Sequence, residues 1–329
     1  MLKFIIKRLL ISVVILFCVM FIVYGLMYSL PSSYIETTAR QLATQPGTQK
    51  SAQEWIAELN AQYGMDKGIL QGYFTWLKSA VRGQFGDSWQ WTVPVTQKFA
   101  DSIWYSFALN MVSFIFEIII AIPLGVIAAV KQYSFTDYAV TVIALVGISM
   151  PTFFLATILK LVFAINLGWF DPVGMQGRNY HLLSDFGKFL DLANHFVLPA
   201  ITLIILSIGG LMRYTRTNML EVLNADYIRT ARAKGVSERK VISHHAFRNT
   251  LIPIITILGG SLPGMFSGAL ITETLFGIRG IGYASYHSMV NGDIPFTMFY
   301  LAFQAVLTLL GNLLADILYA VADPRVRVE

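Results

Sequence analysis

Six long apolar runs, separated by mixed or polar segments, organise this chain. They cover residues 9–30, 103–130, 139–167, 196–212, 251–275 and 297–321, give or take a residue or two. Most reach the ~20 residues that a helix needs to cross roughly 30 Å of hydrocarbon. The pattern predicts an all-α membrane protein with six transmembrane helices. The first run follows Lys3, Lys7 and Arg8 as a secretory leader would, but it continues from Leu9 to Leu30 and no small-x-small cleavage pattern follows "YSLPSSY". It reads as a retained anchor.

Amphipathic spacing breaks up the 31–102 segment. "SAQEWIAELNAQYG" opens with Ser51 and Glu54 in capping-box positions, repeats apolar residues at Trp55, Ile56, Leu59 and Tyr63, and meets Gly64. A second helix is expected from Ile69, Leu70, Tyr73, Phe74, Leu77 and Val81, stopping before Gly83. Their apolar faces require a cover: the membrane surface, the chain's own spans or a partner. The chain thus divides into an amino-terminal segment with its first span (1–30), an extracellular amphipathic segment (31–102) and a core of five spans (103–329).

The segment 213–250 has a different character, with eight Lys or Arg residues against Glu221, Asp226 and Glu238. A helix from Tyr227 would carry Tyr227, Ile228 and Ala231 on one face and Arg229 and Arg232 on another, ending near Gly235. Ser237 is placed to cap a second short helix, "ERKVISHHAFRN".

Composition agrees with a membrane protein: 55% of residues are hydrophobic and 13% charged, against about 25% charged in soluble domains. The one cysteine, Cys18, lies within an apolar run and offers neither a disulfide framework nor a metal cluster. Fourteen of the 24 Lys and Arg residues fall in the short segments on the amino-terminal side of the predicted membrane. Nine fall in the opposite segments, which are about twice as long. The positive-inside rule then makes both termini cytoplasmic. The net charge of +5 is a topology signal, and no nucleic-acid partner is expected from it.

The run "YIRTARAKGVSERKVISHHAFRNTLIPI" resembles the cytoplasmic loop of permease subunits in the dipeptide/oligopeptide/nickel class of ATP-binding-cassette importers. Further stretches carry the likeness over nearly the whole chain: "KRLL", "QFGDS", "IPLGVIAA", "GISMPTFFLA", "HFVLPAITL", "MRYTRTNMLEVLNADY", "ETLFGIRGIG" and "YAVADPRVR". Where the subgroup commonly has Pro-Gly-Asp-Pro after the first span, this chain has "PSSY" at 31–34. The resemblance implies the type I importer permease fold in the plasma membrane of a prokaryote. It also implies a second permease subunit, two cytoplasmic ATPase subunits and an extracellular substrate-binding protein. Tyr227, Ile228, Arg229, Thr230, Ala231, Arg232, Ala233, Lys234 and Gly235 match the coupling helix that seats in an ATPase cleft.

The residues themselves are consistent with this reading. No Gly-x-x-x-x-Gly-Lys-Ser/Thr motif occurs, so ATP and magnesium are expected on the partner ATPases and no cofactor on this chain. Gly260, Gly264 and Gly268 recur every four residues, as a close helix contact requires, whether within the subunit or between subunits. Glu117, in the middle of the second span, must be protonated, paired or wet, and is the candidate pathway residue alongside a structural alternative. Lys160 is expected to snorkel outward, and Asp316, with Asn312 one turn earlier, to form a structural pair. The five histidines fall in loops or at span ends without metal-ligand spacing, so neither an enzyme nor a metal site is expected. Peptide is favoured over nickel as cargo because the spans offer almost no imidazole or thiol donors. A secondary transporter would be favoured by inverted repeats, and none is evident.

Overall fold

The computed structural model describes residues 2–29, 34–44, 50–63 and 66–322, with the backbone alone described at 2–5, 7, 62–63 and 316–322. Fourteen α-helices are described: α1 Leu2–Tyr28, α2 Tyr34–Ala43, α3 Ala52–Tyr63, α4 Ile69–Val81, α5 Val95–Val130, α6 Phe135–Ser149, α7 Thr152–Leu159, α8 Asp185–Leu223, α9 Asp226–Ala233, α10 Glu238–Lys240, α11 Phe247–Ser261, α12 Leu270–Phe276, α13 Ile281–Val290 and α14 Ile294–Ala322. Among the described residues no strand forms beyond an isolated bridge between Asp87 and Pro94. Five helical stretches are long and apolar enough to cross a membrane, and α6 with α7 and its π-helical extension to Asn166 makes a sixth if the bent pair is one span.

That third span is not the straight helix its composition predicts. The pair bends by 103° at Met150–Pro151. Steric clash with the proline ring pushes the preceding residue out of the helical region, and Met150 has φ −77° and ψ 131°. The fifth span is also interrupted, with α11 ending at Ser261, a 3₁₀ turn over Leu262–Phe266 containing Pro263, and α12 resuming at Leu270. A hydropathy window averages over both breaks because each is short and flanked by apolar helix. Conversely, α8 runs 39 residues, about 58 Å at 1.5 Å per residue, so 213–223 belongs to the fourth span's helix and not to a loop. The expected second short helix is also not separate: α10 passes through a π turn, Val241–Ala246, straight into α11.

The chain forms two compact units, Met1–Trp104 with Tyr283–Leu310, and Tyr105–Gly282 with Gly311–Glu329. In the first, α4 docks on α1 through Tyr73, which is fully buried and donates its hydroxyl to the Phe17 carbonyl at 2.9 Å. Its ring meets Phe17 and Phe21 edge-on. The chain's own span therefore covers part of the amphipathic face, while Leu70, Phe74 and Val81 stay exposed. The capping box of α3 is formed: Ser51 N donates to Glu54 Oε2 at 2.7 Å and Glu54 N to Ser51 Oγ at 3.3 Å. Gly64 lies outside the described residues. Asp293, wholly buried at the start of α14, accepts from the Ser88 hydroxyl and from the backbone N–H groups of Trp89, Gln90 and Phe296.

In the second unit, α6 and α8 approach backbone to backbone. A Cβ at Gly209 would lie 2.5 Å from the Ala144 carbonyl and one at Gly147 2.7 Å from that of Ile205. Small residues permit this contact where lipid supplies no hydrophobic drive for helix association. A buried Asp137 at the first turn of α6 receives two 2.7 Å bonds from the Arg216 guanidinium on α8, fixing the register of the same pair.

Candidate functional site: the basic helix and the polar cleft

The basic helix is α9. Ile228 and Ala231 are buried against Ala129, Met219, Val241 and Ala246, which anchors one face to the rest of the unit. Tyr227 is 48% exposed and points away, correcting the expectation that it shares a face with Ile228 and Ala231. Arg229, Thr230, Arg232, Ala233, Lys234 and Gly235 are also exposed. The helix ends in a Schellman arrangement: Val236 N donates to Ala231 O at 3.2 Å and Gly235 N to Arg232 O at 3.0 Å. Gly235 takes φ +75°, which glycine adopts without strain. No atom stands within 4 Å of a Cβ built there, so substitution at 235 acts through backbone strain rather than a clash. Ser237 occupies the next cap position but its side chain makes no cap bond. Arg232 instead grips Glu238 through bonds of 3.1 and 2.7 Å, tying α9 to the following helix.

Glu117 lies on α5 and lines a cleft of about 380 Å³ together with Asn110, Ser113, Ser207, Ser261 and Ser267. Phe114, Leu203, Leu206 and Met265 supply apolar wall. Asn110, Ser113 and Glu117 follow i, i+3, i+7 spacing and so share a face of α5. That polar stripe was visible in the sequence and only its acid was singled out. The hydroxyl residues of α8 and α11 were missed because each stands alone in an apolar run.

The three glycines of the fifth span do not act as one stripe. Gly260 is close to α14, where a Cβ would lie 3.3 Å from Ala315 Cβ, and a Cβ at Gly311 would lie 3.2 Å from Gly260 O. Gly264 has nothing within 4 Å and lines the cleft, and Gly268, at φ +79°, meets the backbone of Gly282. The 3₁₀ turn breaks the face that their spacing would have shared. Lys160 does not snorkel outward, because the π turn aims its ammonium at the Leu275 carbonyl, 2.5 Å away, at the end of α12. The Asp316 side chain lies outside the described residues, as do 30–33, 45–49 and the 323–329 tail. Among the described residues no group of three or more His, Cys, Asp or Glu is placed to hold a metal.

An all-helical chain with broken apolar spans, a polar cleft between three of its helices and a basic helix packed by one face against its unit is consistent with a transport-system membrane component. Sequence comparison narrows the class. A family model described as a binding-protein-dependent transport system inner membrane component matches residues 121–328, and its N-terminal counterpart matches 1–120; the chain belongs to this family. Similar proteins include the oligopeptide transport system permease protein AppB of Bacillus subtilis, 40% identical, with 80% of this chain and 83% of that protein covered. The dipeptide transport system permease protein DppB of Escherichia coli is 34% identical over 82% and 85%. The oligopeptide transport system permease protein OppB of Haemophilus influenzae is 33% identical over 83% and 85%. A chain of the inward-facing MetNI methionine ABC transporter shares the fold at a TM-score of 0.52 and 16% identity, with 69% of this chain and 97% of that one covered.

Proposed function

We propose that this protein is the permease subunit of an ATP-driven peptide importer. An extracellular binding protein delivers the peptide, a second permease subunit completes the path, and two cytoplasmic ATPase subunits bind ATP with magnesium. Three similar permeases are named for oligopeptide or dipeptide transport, which favours peptide over nickel as cargo.

The observation that carries the reading is the two-faced geometry of α9. A helix anchored by Ile228 and Ala231 and displaying Tyr227, Thr230 and Lys234 is rigidly attached on one side and open to a partner on the other. Closure of the ATPase pair moves such a helix as a lever, and the continuous run from α10 into α11 carries the displacement into the fifth span. The charge distribution supports a cytoplasmic position for α9 and both termini.

Separating the two faces by mutation provides the test. In the complex reconstituted with its ATPases and binding protein, Tyr227→Asp should cut peptide uptake tenfold or more and uncouple stimulated ATP hydrolysis, with normal insertion and thermal stability. Ile228→Ala should lower stability by about 2–5 kcal/mol. Full transport by Tyr227→Asp, or failure of a deletion strain to lose labelled-peptide uptake, would overturn the proposal.

A further inference from the structure

We infer that the cleft around Glu117 is a subsite for a primary ammonium group, and, given the peptide reading above, for the charged amino end of the peptide in transit. The argument rests on which hydrogen-bonding groups the cleft has left to offer. Ser113 donates its hydroxyl to the Leu109 carbonyl at 2.8 Å and Ser261 donates to that of Ile257 at 3.0 Å. The Ser207 hydroxyl has the Ile204 carbonyl at 3.2 Å and the Glu117 carboxylate as its acceptors. Asn110 donates an amide hydrogen to the Met265 carbonyl at 2.8 Å. Ser267 likewise donates to the Gly264 carbonyl, so the serine protons are taken up by the protein itself and a ligand meets mainly oxygen lone pairs.

Charge points the same way. Among the described residues, Glu117 is the one ionisable residue lining the cleft, and no Lys, Arg or His stands with it. An acidic, acceptor-rich, donor-poor cleft between spans suits a group with positive charge and several N–H donors. A carboxylate or phosphate would meet a like charge and, from the side chains, only the second amide hydrogen of Asn110. An ammonium group offers three donors and one charge, while the walls of Phe114, Leu203, Leu206 and Met265 accept an apolar side chain without selecting one. Such a subsite holds what all unblocked peptides share and tolerates what differs among them.

Two measurements separate this inference from the peptide reading. The first needs no peptide. In the purified complex carrying Cys18→Ala and Ser261→Cys, the trimethylammonium-ethyl methanethiosulfonate reagent should label position 261 faster than the sulfonatoethyl reagent. Adding Glu117→Gln should reduce that rate ratio about tenfold. An unchanged ratio would overturn the inference whatever the cargo is.

The second compares uptake of Ala-Ala-Ala, N-acetyl-Ala-Ala-Ala and N-acetyl-Ala-Lys-Ala by wild type and Glu117→Gln. The variant should lose about tenfold of its uptake of the free tripeptide relative to the blocked one. A matching loss with the lysine peptide assigns the site to any ammonium, and its absence to the amino terminus. Equal loss of all three overturns the inference and leaves the peptide reading standing. Failure of wild type to carry any of them overturns the peptide reading, while the labelling ratio still decides the cleft.

Discussion

Glu273 and Glu117 are both carboxylates in the same apolar helical unit, and their surroundings are opposite. Glu273, on α12, is fully buried, and its Oε1 accepts from the Ser106 hydroxyl at 2.6 Å and from Ala269 N at 2.8 Å. Ser106 accepts in turn from Ile281 N at 2.7 Å. Two glycines leave room for the other oxygen, since a Cβ at Gly280 or Gly282 would stand 2.6 or 2.9 Å from Oε2. Donors thus converge on Glu273, whereas Glu117 opens into a cleft where Ser207 faces it as a donor and the other serines turn their protons to backbone carbonyls. The first acid knots α5, α12 and the 277–282 turn together. The second is left available. A membrane protein therefore signals role less by having a buried acid than by where the neighbouring donors point.

The largest effect should come from cutting the knot. Glu273→Ala strands the Ser106 hydroxyl and Ala269 N–H in a buried site, at about 1–3 kcal/mol for each unsatisfied group. Gly282→Val drives a side chain into the same carboxylate. Both should lower the melting temperature in detergent and the amount of inserted protein sharply, while Glu117→Ala, which loses one bond from Ser207, should stay within about 1 kcal/mol of wild type. Equal destabilisation by Glu273→Ala and Glu117→Ala would erase the distinction between knot and cleft.

Asp293 sharpens the comparison with a caged acid in the other unit. Its burial raises the carboxyl above its ordinary value of 3.8, and the Ser88, Phe296, Trp89 and Gln90 donors only partly offset this. The fold thus binds the proton more tightly than the unfolded chain does. The stability this contributes is complete below 3.8 and is lost as pH rises through the raised folded value. Wild type should therefore lose more melting temperature than Asp293→Asn as pH is raised from about 4 to 7. The same slope in both proteins would show that Asp293 does not titrate in that window.

The legible parts of this molecule were those with a local physical signature. Apolar length revealed the spans, Gly235 marked the end of α9 because few other residues adopt its backbone, and Ser51 with Glu54 marked the start of α3. The bends at Pro151 and Pro263 were written in the sequence, but hydropathy averages over them, and proline is tolerated within α5, α8 and α11 at Pro123, Pro199 and Pro253. Tyr227 was misplaced because hydrophobicity alone assigned it to the buried face, whereas packing places it outward. Glu273, although it opens the "ETLFGIRGIG" stretch, and Asp293 carried no signal of what they bond to. Their partners Ser106 and Ser88 lie 167 and 205 residues away in sequence, and no periodicity connects such positions.

The smallest expected effect belongs to an acid that is neither caged nor in a cleft. Glu54 is solvent-exposed, and backbone and side-chain bonds from Ser51 hold its carboxyl below its ordinary value of 4.5. Because the folded value is depressed, the contribution is present above about pH 4.5 and is lost as pH falls through the folded value, the reverse of Asp293. Glu54→Gln keeps an acceptor at the third helical position but removes the charge that favours a helix amino terminus. It should fray the first turn of α3 slightly, seen as faster amide hydrogen exchange at Ser51 and Glu54, with no change in global melting or transport. Wild type should approach the variant's exchange rates below pH 4.5 once intrinsic exchange is corrected for pH. A transport defect in Glu54→Gln would instead mean that the amino-terminal turn of α3 takes part in receiving a partner, and that an exposed acid here does more than cap a helix.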